Sequence, residues 1–218
     1  MGRMVTLARG RWDGNKLVDI HDLFVTDARI GASRVAFGRD GFLYWAVGGP
    51  PGPADAMASQ DPMQHTGKTL RLRDDGTVPD NNPFAGRAGY KPEIYSLGHR
   101  NQLGLTVNPI TGDIWETEQG PQGGDEVNII LPGRNYGWPL VSFGRWYEGP
   151  RVSENPYRDG MELPVVSPVE GKPIRRRTAT RASSTDRAGS AHRLQFSLGG
   201  DTERADVEFP ETKNPGDT

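Results

Sequence analysis

Residues 34–49 read RVAFGRDGFLYWAVGG, in which two apolar runs flank the dipeptide Asp40-Gly41. Glycine after aspartate allows the positive φ angles of a tight turn, so the pattern predicts a β-hairpin. Residues 103–117 repeat the plan, with apolar runs on both sides of the turn residues 108–112. Recurrence of one hairpin plan is typical of a β-propeller, whose blades bury their faces on one another. A β-sandwich is the alternative that this pattern leaves open.

Shorter apolar runs predict further strands on both sides of the two hairpins. They lie at residues 4–7, 17–25, 69–73 and 93–97, with a polar turn at 11–15. Residues 50–66 contain four prolines and no periodic pattern, which indicates a surface loop. The chain has 29 glycines and 18 prolines among 218 residues, a content that favours short strands and turns over long helices. The sequence therefore predicts an all-β protein.

Charge and composition exclude several classes of protein. The net charge of −2 gives no reason to expect a nucleic-acid partner. There is no cysteine, which excludes disulfides and thiolate metal sites. No apolar run approaches the length of a membrane span, and the first residues lack the apolar core of a signal peptide.

The character of the sequence changes near residue 167. Residues 168–218 contain no tryptophan or tyrosine and are rich in arginine, serine, threonine, aspartate and glycine. Such a composition buries too little apolar surface to offset the loss of chain entropy. We therefore predict a folded region at 1–167 and a low-complexity, poorly ordered tail at 168–218.

The candidate functional residues are concentrated between residues 95 and 139. Arg100 and Asn101 follow a predicted strand and the flexible Gly98, so both side chains can project from a strand end into a central cavity. The planar donor fork of arginine suits carboxylates, and the amide of asparagine adds a donor and an acceptor, which points to a polyanionic ligand. The alternative is an Arg100 that pairs with a local carboxylate such as Glu118.

An acidic turn follows. Glu116, Glu118, Asp125 and Glu126 surround a glycine-rich segment, and carboxylates together with main-chain carbonyls are the ligands that Ca²⁺ prefers. The alternative is a solvated acidic turn without a metal.

The histidines and Lys68 carry weaker signals. The four histidines show no HExxH spacing, and His65 and His99 are the two next to other polar residues of interest. Lys68 follows a glycine, but the rest of a phosphate-binding glycine pattern is absent.

Three blocks of this region resemble a known family. GHRNQLGL at 98–105, ETEQGPQGGDEVN at 116–128 and GRNYGWP at 133–139 are similar to signature blocks of soluble aldose sugar dehydrogenases that depend on pyrroloquinoline quinone (PQQ), the glucose/sorbosone dehydrogenase family. The resemblance covers about residues 17–165. It implies part of a six-bladed β-propeller, about three blades, and oxidation of the C1 hydroxyl of aldoses to lactones by hydride transfer to PQQ. It also implies a sugar substrate, an electron acceptor, and a parent family that is periplasmic or secreted.

The resemblance also implies site residues. Arg100 and Asn101 would hold PQQ, and Gly120 and Pro121 would offer main-chain oxygens to Ca²⁺. Glu126 and the backbone of Tyr136 would form a further calcium site.

Two departures from the family are visible in the sequence. The position of the family's general-base histidine is Ile30, which cannot accept a proton, and His65 is the only nearby substitute in sequence. The chain is also shorter than a full propeller of this family. The hypotheses are therefore a truncated sugar dehydrogenase, a propeller-derived binding or scaffold module without redox chemistry, or a product that does not fold stably.

Overall fold

The computed structural model describes residues 4–29, 31–50, 52–169, 172–173, 192–197 and 204–209. Their regular elements are β-strands and one short 3₁₀ helix, Ala56–Gln60, which confirms the predicted all-β class. The chain divides into two compact units, Met1–Ile174 and Arg175–Thr218. The predicted division at 167/168 stays a prediction. No helix among the described residues is long and apolar enough to cross a membrane.

The described part of the first unit consists of antiparallel sheets whose strands follow one another in sequence. The strands are β1 (Thr6–Trp12), β2 (Leu17–Val25), β3 (Ser33–Phe37), β4 (Leu43–Val47), β5 (Lys68–Leu72), β6 (Ile94–Leu97), β7 (Gln102–Val107), β8 (Ile114–Glu118), β9 (Glu126–Ile130), β10 (Pro168–Val169) and β11 (Lys172–Pro173). Their sheet orders are β1-β2, β3-β4-β5-β6, β7-β8-β9 and β10-β11. Each strand therefore pairs with its neighbour in the chain, as in a meander.

Both hairpins predicted from the glycine turns are present. In the β3-β4 hairpin Phe37 faces Leu43, and Gly41 between them has a φ angle of 80°. In the β7-β8 hairpin Asn108 Oδ1 closes the turn by accepting hydrogen bonds from the backbone of Ile110 and Thr111. Side-chain oxygens of asparagine commonly stabilise turns in this way.

The first hairpin differs from the prediction in its limits. Its first strand continues through Arg11 and Trp12, which the sequence pattern assigned to the turn. Asp13 instead makes the turn, since its Oδ1 accepts hydrogen bonds of 2.9 Å from the backbone of Asn15 and of Lys16. Arg11 and Trp12 belong to the strand because they pair with β2, with Trp12 opposite Leu17.

The core lies on both faces of the four-stranded sheet. All five residues of β4 are buried, and alternate side chains point to opposite faces. One face contributes Trp45 to a cluster that includes partly buried Phe24 of β2. The other contributes Tyr44 to a cluster with Ile114 and Ile130 of the three-stranded sheet. The hairpin, the four-stranded sheet and the three-stranded sheet therefore stack in chain order.

In the second unit the structure describes one antiparallel hairpin. Its strands are β12 (His192–Ser197) and β13 (Arg204–Phe209). Most of residues 168–218 lie outside the described residues, so the prediction of a poorly ordered tail stays a prediction.

Candidate functional site

The candidate site is built on the link between β6 and β7, residues 98–101. Gly98 has a φ angle of 80°, in the left-handed region that favours glycine. A Cβ atom there would overlap Asn135 Oδ1 and lie 2.7 Å from the backbone nitrogen of Gly137. The turn places the next two side chains inside the protein, since His99 is 0% exposed and Arg100 is 2% exposed.

The guanidinium of Arg100 binds main-chain oxygens of the turn after β8. Its Nη1 donates to the carbonyl oxygens of Gln119 at 2.8 Å and Gly120 at 3.0 Å. Its Nη2 donates to Tyr147 Oη at 3.3 Å, and the guanidinium carbon lies 5.4 Å from the centre of the Trp138 ring. The predicted alternative, an ion pair between this side chain and Glu118, is not observed, because Glu118 accepts from the backbone N–H of Arg100 instead.

One edge of the Arg100 fork keeps unused donors. Its Nε is buried and makes no hydrogen bond. Nη2 carries two N–H groups and uses one on Tyr147. A buried donor without a partner costs about 1–3 kcal/mol, so this edge is suited to an acceptor with two oxygens, such as a carboxylate.

Asn101 lies beside the same turn. Its Nδ2 donates to Gln119 Oε1 at 3.0 Å, and its Oδ1 is 3.4 Å from the backbone nitrogen of Ala32. A side chain at Gly48 would lie 3.4 Å from Asn101 Oδ1, so the backbone approaches this amide closely. The structure therefore brings Asn101 and Arg100 to the same turn, and their predicted role in holding a cofactor stays a prediction.

The glycine-rich turn closes on itself. Gly120 donates its N–H to Asp125 Oδ1 at 2.9 Å, and a Cβ atom at Gly120 would overlap the carbonyl oxygen of Gly123. Burial raises the pKa of Asp125, while the hydrogen bond from Gly120 and the charge of Arg100 act in the opposite direction. Glycine at position 120 is thus required by the close approach of the backbone.

A void of about 10 Å³ lies under this turn. Arg100, Gly120, Glu126 and Tyr136 line it, together with Glu118, Gly124, Trp138, Val141 and Ser142. Three of the four predicted metal-binding residues therefore meet around one space next to the predicted cofactor ligand, whereas Pro121 is not among the lining residues.

The carboxylate of Glu126 is buried close to that of Glu118. Burial raises the pKa of Glu126 well above its usual range, and the neighbouring charge of Glu118 raises it further. The hydrogen bond between Glu126 Oε2 and Asn128 Nδ2 is 3.3 Å. This donor set of carboxylate and main-chain oxygens fits a hard cation such as Ca²⁺.

Behind the void, His99 lies between two carboxylates of β8. Its Nδ1 is 3.1 Å from Glu118 Oε2 and 3.4 Å from Glu116 Oε2. Burial alone would lower the pKa of His99, but the charges of Glu116 and Glu118 and hydrogen bonds to them raise it to about 9. Glu116 is 1% exposed and Glu118 is 6% exposed, so the predicted alternative of a solvated acidic turn is wrong for these two residues.

His65, the predicted substitute base, has both ring nitrogens engaged. Nδ1 lies 2.9 Å from Asp27 Oδ1, and Nε2 lies 2.6 Å from Glu93 Oε1. The side chain is 4% exposed. This geometry favours a structural role that ties the segment before β3 to the start of β6. Ile30, the position of the family base, lies outside the described residues.

The ion pair between His65 and Glu93 predicts how the free energy of unfolding depends on pH. Burial raises the pKa of Glu93, but the hydrogen bond and charge of His65 outweigh it, so the pKa lies below its ordinary value of 4.5. A carboxylate with a lowered pKa contributes stability that is present above pH 4.5 and is lost as the pH falls through the lowered pKa. We expect Glu93→Gln to reduce the free energy of unfolding by about 1–3 kcal/mol at neutral pH and to flatten the acid side of the profile.

Urea unfolding at a series of pH values between neutral and acid tests this expectation. Asp80→Asn is the control, because the Asp80 side chain is 98% exposed and, among the described residues, forms an ion pair only with the partly exposed Arg73. A Glu93→Gln profile parallel to that of the unmodified chain would contradict the assignment.

The loop at residues 50–66 is fixed by Lys68. This side chain is fully buried, and its Nζ donates to three carbonyl oxygens, of Ala58 at 3.0 Å, Ser59 at 2.9 Å and Thr66 at 2.8 Å. All three N–H groups of the ammonium are therefore used, which leaves none for a phosphate.

Together these features define a class: an all-β protein with a buried arginine, glycine-turn carbonyls and clustered carboxylates beside a three-stranded antiparallel sheet. Known proteins share both sequence and fold with it. The family model for glucose/sorbosone dehydrogenase matches residues 1–173, and the chain belongs to that family.

Similar proteins agree with this assignment. The chain is 37% identical over 158 residues to aldose sugar dehydrogenase YliI of Escherichia coli. The match covers 70% of this chain and 42% of that protein. The apo crystal structure of the soluble aldose sugar dehydrogenase of Escherichia coli matches with a TM-score of 0.67 at 34% identity, over 76% of this chain and 49% of that one. The PQQ-bound aldose sugar dehydrogenase of Streptomyces coelicolor matches with a TM-score of 0.59 at 31% identity, over 73% of this chain and 44% of that one. The chain thus spans less than half the length of these relatives.

Proposed function

We propose that this chain forms the cofactor-anchoring part of a PQQ-dependent sugar dehydrogenase. The observation that carries the proposal is the free edge of Arg100, whose buried Nε–H lacks a partner while Nη1 is fixed on Gly120 O. A relative in the same family has a structure with PQQ bound. The stacked sheets described above are consistent with about three blades of a six-bladed propeller.

The anionic character of the cofactor explains the residues around it. PQQ carries three carboxylates, and a guanidinium fork binds a carboxylate through two parallel hydrogen bonds. Arg100 is held in place by Gln119, Gly120 and the Trp138 ring, so little side-chain entropy is lost on binding. Asn101 would supply a further amide contact from the same link.

A calcium ion fits the neighbouring oxygen atoms. The main-chain oxygens of Gly120 and Pro121 would hold it at the cofactor, and Glu126 with the main-chain oxygen of Tyr136 would form the further site. When bound, PQQ and Ca²⁺ supply the hydride acceptor and the Lewis acid for oxidation of an aldose C1 hydroxyl to a lactone. An external electron acceptor would then regenerate the quinone, and the parent protein would act in the periplasm or outside the cell.

A second function is favoured by the missing base. Position 30 is isoleucine, and both ring nitrogens of His65 face carboxylates, so neither of the two positions considered for the base is suited to take the proton from the sugar. A propeller-derived binding or scaffold module, which binds PQQ without oxidising sugar, is the alternative that this observation supports.

Calorimetric titration with PQQ, in Ca²⁺ and again in EDTA, tests the proposed function. We expect saturable binding of one PQQ per chain that weakens when Ca²⁺ is removed. Aldose oxidation, followed with an artificial electron acceptor, then separates the two functions: turnover supports the dehydrogenase, and binding without turnover supports the binding module. Absence of PQQ binding to a chain that unfolds cooperatively would exclude both.

A further inference from the structure

We infer that His99, Glu116 and Glu118 form a binding site for a divalent transition-metal ion of the Zn²⁺ type. The three side chains each offer one ligand atom, and these atoms lie within 4.8 Å of one another. One imidazole and two carboxylates form a donor set that suits Zn²⁺. The inference does not depend on the proposed function, because the site needs neither PQQ nor sugar.

The distances match a shared metal centre. Bonds of about 2.0–2.2 Å from Zn²⁺ to nitrogen and oxygen place neighbouring ligand atoms of a tetrahedron about 3.3–3.6 Å apart. The observed distances from His99 Nδ1 are 3.4 Å to Glu116 Oε2 and 3.1 Å to Glu118 Oε2. Small adjustments of the two carboxylates would therefore admit the ion.

Glu116 supplies an independent indication of a ligand. Its side chain is 0% exposed and points into the cluster, and apart from the 3.4 Å ion pair between Oε2 and His99 Nδ1 neither carboxylate oxygen has a hydrogen-bond partner. A buried carboxylate without a hydrogen bond is strongly unfavourable, whereas coordination of a cation would satisfy it. Glu118, in contrast, already accepts from the backbone N–H of Arg100 through its other oxygen.

The surroundings of His99 fix the orientation that a metal ligand needs. Nε2 lies 2.8 Å from Ser96 Oγ, so the ring is held at the nitrogen opposite the carboxylates. The ring also stacks on Tyr136, with centroids 4.6 Å apart. Partners of this kind orient metal-binding histidines and set which nitrogen is free to coordinate.

The competing arrangement is a protonated His99 that pairs with both carboxylates. It uses the same distances but places a hydrogen on Nδ1, where the metal would bind. His99 Nδ1 can carry a hydrogen or bind the metal, but not both, so the state of this nitrogen distinguishes the two arrangements.

The test uses the full chain without PQQ. Because the three side chains are buried, the metal-free chain is refolded from urea with Zn²⁺ or Co²⁺ present and then dialysed. We expect one metal ion per chain, visible absorption bands of four-coordinate Co²⁺, and release of Zn²⁺ only on unfolding or to a strong chelator. Glu116→Gln, which keeps the size of the side chain, should weaken binding more than about tenfold.

Glu93→Gln is the matched control. It also removes a buried carboxylate beside a histidine, but Asp27 and Glu93 contact opposite nitrogens of His65 and cannot share one ion with it. Its metal content should equal that of the unmodified chain. Binding that is unchanged in Glu116→Gln, or no bound metal after refolding, would overturn the inference.

A measurement on the unmodified chain covers the case in which Glu116→Gln fails to fold. Nitrogen-15 spectra of the histidine side chains should show loss of the Nδ1–H signal of His99 when Zn²⁺ is present. Persistence of that signal at saturating Zn²⁺ would show that the proton, and not a metal ion, occupies the position between the carboxylates.

Discussion

Replacement of Arg100 by alanine is expected to abolish most of the PQQ affinity of this chain. Removal of one partner from a buried, hydrogen-bonded charge pair costs about 2–5 kcal/mol, which corresponds to roughly 30-fold to several thousand-fold in affinity. The effect should be at the upper end, because the free Nε–H is buried and has no other acceptor. Calorimetry with PQQ in the presence of Ca²⁺ measures it directly.

Two further variants separate charge from geometry. Arg100→Lys keeps the positive charge but lacks the planar fork, so its affinity should fall between those of the alanine variant and the unmodified chain. Arg73→Ala removes a partly exposed arginine that pairs with Asp80 and makes no contact described for the candidate site, so it should leave the affinity unchanged. If Arg100→Ala binds PQQ as tightly as Arg73→Ala, Arg100 does not hold the cofactor.

The largest effect on stability is expected for Gly98→Ala. Its φ angle of 80° is unfavourable for alanine by about 1–2 kcal/mol. The added Cβ would also overlap Asn135 Oδ1, where the backbone of Gly98 bonds to Ser59 O at 3.0 Å and to Trp138 N at 2.8 Å. Three chain segments meet at this point and none can move freely. We therefore expect a loss of about 2–5 kcal/mol in the free energy of unfolding.

Gly89→Ala is the control for this prediction. Gly89 has nearly the same φ angle, 78°, but no atom lies within 4 Å of a Cβ placed there. It should show only the backbone penalty of about 1–2 kcal/mol. Urea unfolding of the two variants in parallel measures the difference, and equal losses would mean that crowding at Gly98 has no energetic weight.

Local patterns in the sequence were sufficient for the fold class and its hairpins. Asp40-Gly41 and the residues of the turn at 108–112 favour the backbone angles of a tight turn. Residues that are close in sequence are therefore enough to specify these two hairpins. The limits of β1 were not predictable in this way, because the pairing of Trp12 with Leu17 overrides the turn preference of residues 11–15.

The candidate site was only partly predictable. The resemblance placed Arg100 and Gly120 in one site, and the structure shows them hydrogen bonded. Glu116 and Glu118 lie two residues apart on one strand, which indicates a shared face but not that the face is buried against His99. The approach of Tyr147 to Arg100 depends on the path of a long loop, which no local pattern encodes.

The surroundings of Lys68 accept few other side chains at this position. Three carbonyl oxygens converge on its ammonium, and an ammonium offers three hydrogens in tetrahedral directions. Arginine presents its donors in a plane, the amide of glutamine offers only two N–H groups, and methionine offers none. Replacement of Lys68 by arginine is therefore not conservative here. The path of the segment that contains Ala58, Ser59 and Thr66 depends on a lysine at position 68.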